Sequence, residues 1–195
     1  MNIYTVSFFG HREIDDFLEI EDRLENIICE LLQSKVYIRF LVGRDGEFDL
    51  LVSSVIRRCV KRYESYDNTS FILILPYMRA EYIDNMESFH EYYDDVEICS
   101  ESNKAHFKAA IQIRNRNMVD RSNLVVCCIQ RKKGGAYTTI KYAEKQNRLV
   151  FGNCNRKMQL LTPRMYDNSS QQNKAKLFYE EYILSSCCSK SCSGV

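Results

Sequence analysis

The chain has 195 residues, 45% of them hydrophobic, enough for one α/β domain with a sizeable core. Lysine and arginine number 27 against 26 aspartate and glutamate, so a net charge of +1 provides no broad field for nucleic acid or an anionic membrane. The expected partner is therefore a small ligand recognised locally, with no general nucleic-acid binding and no membrane.

The opening MNIYTVSFFG is apolar over too few residues for a signal peptide or a membrane span, so the expected compartment is the cytoplasm. Within it YTVSFF predicts a buried first strand running into the turn Gly10-His11-Arg12. Phe17, Ile20, Leu24, Ile27, Ile28, Leu31 and Leu32 recur at helical spacing and predict the first helix. Val36 to Val42 predicts strand two, and Gly46 to Tyr63 predicts helix two, with Asp45 placed as its N-cap. Phe71 to Leu75 predicts strand three, stopped by Pro76. Pro76 to Asn103 shows no sustained period and is read as a long connection with room for a short helix and a candidate role as a lid. Lys104 to Arg121 predicts a helix, Leu124 to Ile129 a fourth strand, Tyr137 to Gln146 a helix and Leu149 to Phe151 a fifth strand. Asn173 to Leu184 predicts a last helix that docks on the domain.

Nine cysteines are an odd count, and Cys127 and Cys128 lie in an apolar strand, so reduced thiols are expected. Cys187, Cys188 and Cys192 sit in a Ser-rich tail with no second cluster to complete a zinc site, which predicts a mobile end and no metal. Strands apolar along their whole length, alternating with helices, predict an α/β Rossmann-like three-layer sandwich. Its sheet is expected to be five-stranded and mostly parallel. Residues 1–152 form this unit and 153–195 a C-terminal extension with a helical appendage. The first helices and the C-terminal segment are the candidate surfaces for a homodimer.

In such a sheet, ligands sit outside the carboxyl ends of the strands. Three glycine turns share that edge: Gly10-His11-Arg12, Gly43-Arg44-Asp45-Gly46 and Gly134-Gly135-Ala136. Each glycine serves either as a turn residue or to let a ligand approach the backbone. Arg114 interrupts the apolar stripe of Phe107, Ala110, Ile111 and Met118. It either pairs with a buried carboxylate such as Asp49 or forks onto a phosphate, and Asn115 beside it suits a ribose hydroxyl or a loop carbonyl. Glu47 and Asp49 in the first turn of helix two repel a phosphate there and suit sugar or base contacts. The phosphate fits better at Gly134-Gly135, after Arg131, Lys132 and Lys133 and before Thr138 and Thr139. KKGGAYTT is not a P-loop. His11 reads as a ligand contact or a loop hydrogen bond rather than a general base. Tyr77, Tyr82, Tyr92 and Tyr93 read as surface packing, or as a stacking platform if their segment closes over the cleft.

FFGHR, FLVGRDGEFD, AIQIRNRNMVDRSNLVV and KKGGAYTT occur in the order and spacing of the SLOG superfamily. Over about residues 3–152 the chain resembles its YpsA-like bacterial branch, and more distantly the LOG and DprA groups. The resemblance implies a Rossmann-like domain that binds a nucleotide or a nucleotide-derived signal such as ADP-ribose or NAD, as a ligand sensor. It implies a pocket built from Gly10, Arg12, Gly43 to Gly46, Asp49, Arg114, Asn115, Met118, Gly134, Gly135 and Thr138. The LOG phosphoribohydrolases carry P-G-G-x-G-T-x-x-E with an essential glutamate. Here Lys133 falls at the proline, Tyr137 at the later glycine and Lys141 at the glutamate, leaving Glu144 as the nearby acid. Nucleotide binding without turnover, with Arg114 on the phosphate and Asp49 on a sugar hydroxyl, is thus the leading expectation, with a nucleoside-monophosphate N-glycosidase and a structural or protein-binding domain as alternatives.

Overall fold

A computed structural model of the chain describes residues 3–153 and 158–161. Apolar runs at the predicted places become β1 (Tyr4–Gly10), β2 (Ile38–Val42), β3 (Thr69–Leu75), β5 (Leu124–Cys128) and β6 (Leu149–Asn153). Between them lie α1 (Phe17–Ser34), α2 (Glu47–Arg62), α6 (Phe107–Arg121) and α7 (Gly135–Lys145). The connection after Pro76 folds into α3 (Ala80–Asp84), α4 (Met86–Tyr92), β4 (Asp95–Ile98) and α5 (Ser100–Asn103), and β7 (Met158–Leu161) follows β6.

Among the described residues the sheet has seven strands, in the order β4-β3-β2-β1-β5-β6-β7. Six run parallel, and β7 pairs antiparallel to β6. Five strands were expected from the apolar runs. The two additional ones lie at opposite edges of the sheet, where a strand needs less apolar sequence. Residues of α1 and α2 pack with Val6, Phe8, Phe40 and Val126 on one face. Residues of α6 and α7 pack with Phe9, Leu41, Val125 and Val150 on the other. Both faces are thus covered, and each large apolar side chain so buried contributes about 1.5–3 kcal/mol.

Pro76 to Asn103 is therefore not a lid. Tyr82, Phe89 and Tyr93 are buried in the core, and β4 extends the sheet in parallel register beside β3, Ile72 facing Asp95 and Leu75 facing Ile98. Tyr93 packs on Phe71 with centroids 4.9 Å apart, so this tyrosine stacks on protein. The expected helix Asn173–Leu184 and the Cys/Ser-rich tail lie outside the described residues.

Along the chain the strands step from β1 outward to β4, then α6 returns the chain to β5 on the other side of β1. Strand order thus reverses at β1, and the carboxyl ends of β1, β2 and β5 surround one crevice.

Candidate functional site

A cleft of about 600 Å³ opens at that crevice, within the size range of small-molecule sites. The structure brings Gly10, His11, Arg12, Gly43, Gly46 and Asp49 to its walls from the β1 and β2 ends. Arg114 and Asn115 reach it from α6, and Gly134 and Gly135 from the turn that opens α7.

Four expected residues lie elsewhere. Arg44 turns away from the cleft, stacks over Phe89 at 4.6 Å and donates to Glu81 at 2.8 Å. Met118 is fully buried in the core beneath α6. Thr138 and Thr139 donate their hydroxyls back to the carbonyls of Gly134 and Gly135, at 3.1 and 2.9 Å. Asn115 in turn donates to the Thr139 hydroxyl at 3.1 Å, so this chain of bonds holds the first turn of α7 in place.

The glycines divide into two kinds. A Cβ on Gly10 would run into the Phe48 ring, and one on Gly46 would lie 2.5 Å from the Arg12 Cα. One on Gly43 would lie 2.6 Å from an Arg114 Nη and 2.8 Å from an Asp49 Oδ. What passes close to the backbone in GRDG is therefore the protein itself. Gly134 differs: its φ is +91°, and nothing stands within 4 Å of where its Cβ would be. Bare backbone there faces open space at the start of an eleven-residue helix.

Arg114 is 3% exposed and held from inside. It donates one Nη to the Ile74 carbonyl at 3.1 Å and the other to Asp45 at 2.7 Å. Asp45 also accepts from Arg79 at 2.5 Å. Burial pushes the Asp45 carboxyl up, but Arg114 and Arg79 together outweigh this and hold it below its ordinary value. Arg114 thus both lines the cleft and is locked to an acid, and that acid is Asp45 rather than Asp49. Asp45 is accordingly not the N-cap of α2: that position belongs to Gly46, with no side-chain cap, because the Asp45 carboxylate is taken by the two arginines. Asp49 accepts the Asp45 backbone N-H at 2.8 Å. Burial raises the Asp49 carboxyl, and Arg114 offsets this only in part.

The rim is basic. Arg12, Arg131 and Lys133 line the cleft and are exposed. His11 accepts the Arg131 backbone N-H on Nε2 at 3.1 Å, and burial lowers its pKa, which keeps the ring neutral as an acceptor. By helix geometry the first N-H groups of α7, those of Gly135, Ala136 and Tyr137, have no acceptor within the helix, and Gly134 supplies no side-chain cap. Donors, dipole and rim charges converge on this end of the cleft.

Sequence reasoning missed Glu13, Ile111 and Gln112, which also line the cleft. The Gln112 Oε1 is buried without a hydrogen-bond partner. Its position three residues before Asn115, on the same helix face, was the available signal. Lys141 and Glu144 pair with each other at 2.7 Å and neither lines the cleft. Among the described residues no group of three His, Cys, Asp or Glu is placed to hold a metal ion, and no helix is long and apolar enough to cross a membrane.

The sequence matches no protein-family model and no curated protein. Its fold matches solved structures. DNA processing protein A from Helicobacter pylori, solved for its single-stranded DNA binding mode, matches with a TM-score of 0.57 at 15% identity, over 92% of this chain and 81% of that one. DNA processing protein A (DprA) from Streptococcus pneumoniae matches with a TM-score of 0.55 at 15% identity, over 77% of this chain and 50% of that one. At this identity the likeness is one of fold, and the fold is Rossmann-like.

The expectation of no nucleic-acid binding is overturned by these neighbours, because the fold is one on which single-stranded DNA is bound. Net charge was a poor guide. It averages over the whole surface and says nothing of a local field such as that of Arg12, Arg131 and Lys133.

Proposed function

We propose that the chain is a nucleotide-binding module whose cleft takes the phosphate of a nucleotide or nucleotide derivative, ADP-ribose or NAD-like, at the start of α7. The observation that carries this reading is the open, Cβ-free backbone at Gly134 beside the unpaired first N-H groups of α7. Arg131 and Lys133 adjoin that point in the chain, and Arg12 lines the same cleft. Phe9, Ile111 and Ala136 give the cleft an apolar wall for a base or ribose. Asp49 and Gln112 offer acceptors for sugar hydroxyls. Arg114 acts as an internal strut that sets the β2 and β3 ends, rather than as the phosphate's own fork. The order and spacing of the glycine turns support placing the chain with the YpsA-like branch. Binding without turnover is favoured, since Lys141 stands where a LOG glutamate would and Glu144 is paired to it outside the cleft.

A phosphate on a single nucleic-acid strand presents the same chemistry, and the DNA processing protein A fold favours that second reading. A thermal-shift panel separates the two. AMP, ADP-ribose, NAD and a short single-stranded oligodeoxynucleotide are tested with wild type and with the Arg131→Ala/Lys133→Ala double variant. A mononucleotide or dinucleotide is expected to raise the wild-type melting temperature, with affinity about tenfold or more weaker in the variant, the loss of a charge-assisted contact. A shift with the oligonucleotide alone, falling steeply with salt, moves the assignment to nucleic acid. No shift with any ligand, or equal shifts in the variant, refutes the site.

A further inference from the structure

Away from the cleft, α1 and α2 lie side by side on one face of the sheet and bring two thiols together. Cys29 on α1 donates its S-H to the Cys59 Sγ on α2 at 3.7 Å. Cys29 is half-buried, while Cys59 is fully buried. We propose that Cys29 and Cys59 are a reversible oxidation site, joined as a disulfide that clamps α1 to α2.

The geometry is close to what the bond needs. An S-S bond of about 2.05 Å asks for a closure of about 1.7 Å, a distance within the swing of two cysteine side chains. The surroundings set the order of events. Burial, with the Cys29 thiol beside it, pushes the Cys59 thiol up to about 12, so the less buried Cys29 reacts first. Arg62 is held by Glu25, and a Tyr63-Gln33 hydrogen bond of 3.2 Å links the same two helices one turn further on.

The oxidant is a small-molecule disulfide such as oxidised glutathione. Cys29 gives its proton to solvent and its thiolate attacks one sulfur of the oxidant. The oxidant's S-S bond breaks, and one glutathione leaves with the electron pair and takes up a proton. Cys59 then gives a proton to water and attacks the Cys29 Sγ, releasing the second glutathione. Two protein thiols are oxidised and one small disulfide is reduced to two thiols.

The full chain is incubated with oxidised glutathione, blocked with a maleimide, digested without reductant and read by mass spectrometry. The expected product is a Cys29–Cys59 linked peptide pair, absent in Cys29→Ser. Cys59→Ala is expected to stop at the glutathione adduct of Cys29. The loop closed spans about thirty residues, so the oxidised wild type should melt about 5–10 °C higher, a gain reversed by dithiothreitol. Glutathione left on Cys29 of the wild type with Cys59 still a free thiol, or links confined to other cysteines, overturns the proposal.

Discussion

Arg114 shows how much of a side chain's role is decided by what surrounds it. Its expected role was a fork onto a phosphate, whereas the structure ties it to a buried acid, and only its place in an apolar stripe was legible from helical spacing. The acid itself was not, because Asp45 and Asp49 sit one turn apart and only the path of the β2 end decides which one meets the guanidinium. The glycines divided for a similar reason. Nothing local distinguishes Gly43, filled by Arg114 and Asp49, from Gly134, which faces open space. Two substitutions test the strut. Arg114→Ala leaves the Asp45 carboxylate with one arginine and the Ile74 carbonyl with none, and is expected to cost about 3 kcal/mol in urea unfolding. Gly43→Ala forces a methyl into the same guanidinium and should cost about 1–3 kcal/mol. A loss below about 0.5 kcal/mol for both, the range of ordinary surface changes, contradicts an internal role.

At the scale of elements, the strands flanking the cleft were legible as continuous apolar runs and the long helices by apolar residues at helical spacing. Pro76 to Asn103 was not. Its helices are only four to seven residues long, too short to establish a period, and β4, Asp-Val-Glu-Ile, is an edge strand whose apolar content is halved by exposure. Its tyrosines looked like surface residues, yet Tyr82 and Tyr93 are buried. Hydrogen exchange distinguishes an edge unit from a lid. The Asp94 amide donates to the Phe71 carbonyl and the Cys99 amide to the Leu75 carbonyl, both at 2.9 Å. Both should exchange about a hundredfold or more slowly than open loop amides, whether or not nucleotide is present. Fast exchange that slows only on adding nucleotide would restore the lid.

For the molecule as a whole, strand order does what no single motif could. Because the order reverses at β1, turns from distant parts of the chain, after β1, β2 and β5, meet at one cleft with a basic rim. That meeting was foreseeable from alternating strands and helices, and the run Arg131 to Lys133 marked its local charge despite a net charge of +1. The central claim is that phosphate is held by the first turn of α7. Titrating the isotope-labelled chain with ADP-ribose while following backbone amide chemical shifts tests it most directly. The largest saturable shifts are expected at Gly135, Ala136 and Tyr137, with smaller ones at Arg12 and Arg131. Shifts that leave α7 unmoved and gather instead around Arg44 and Glu81, or no shift at millimolar ligand, would contradict it.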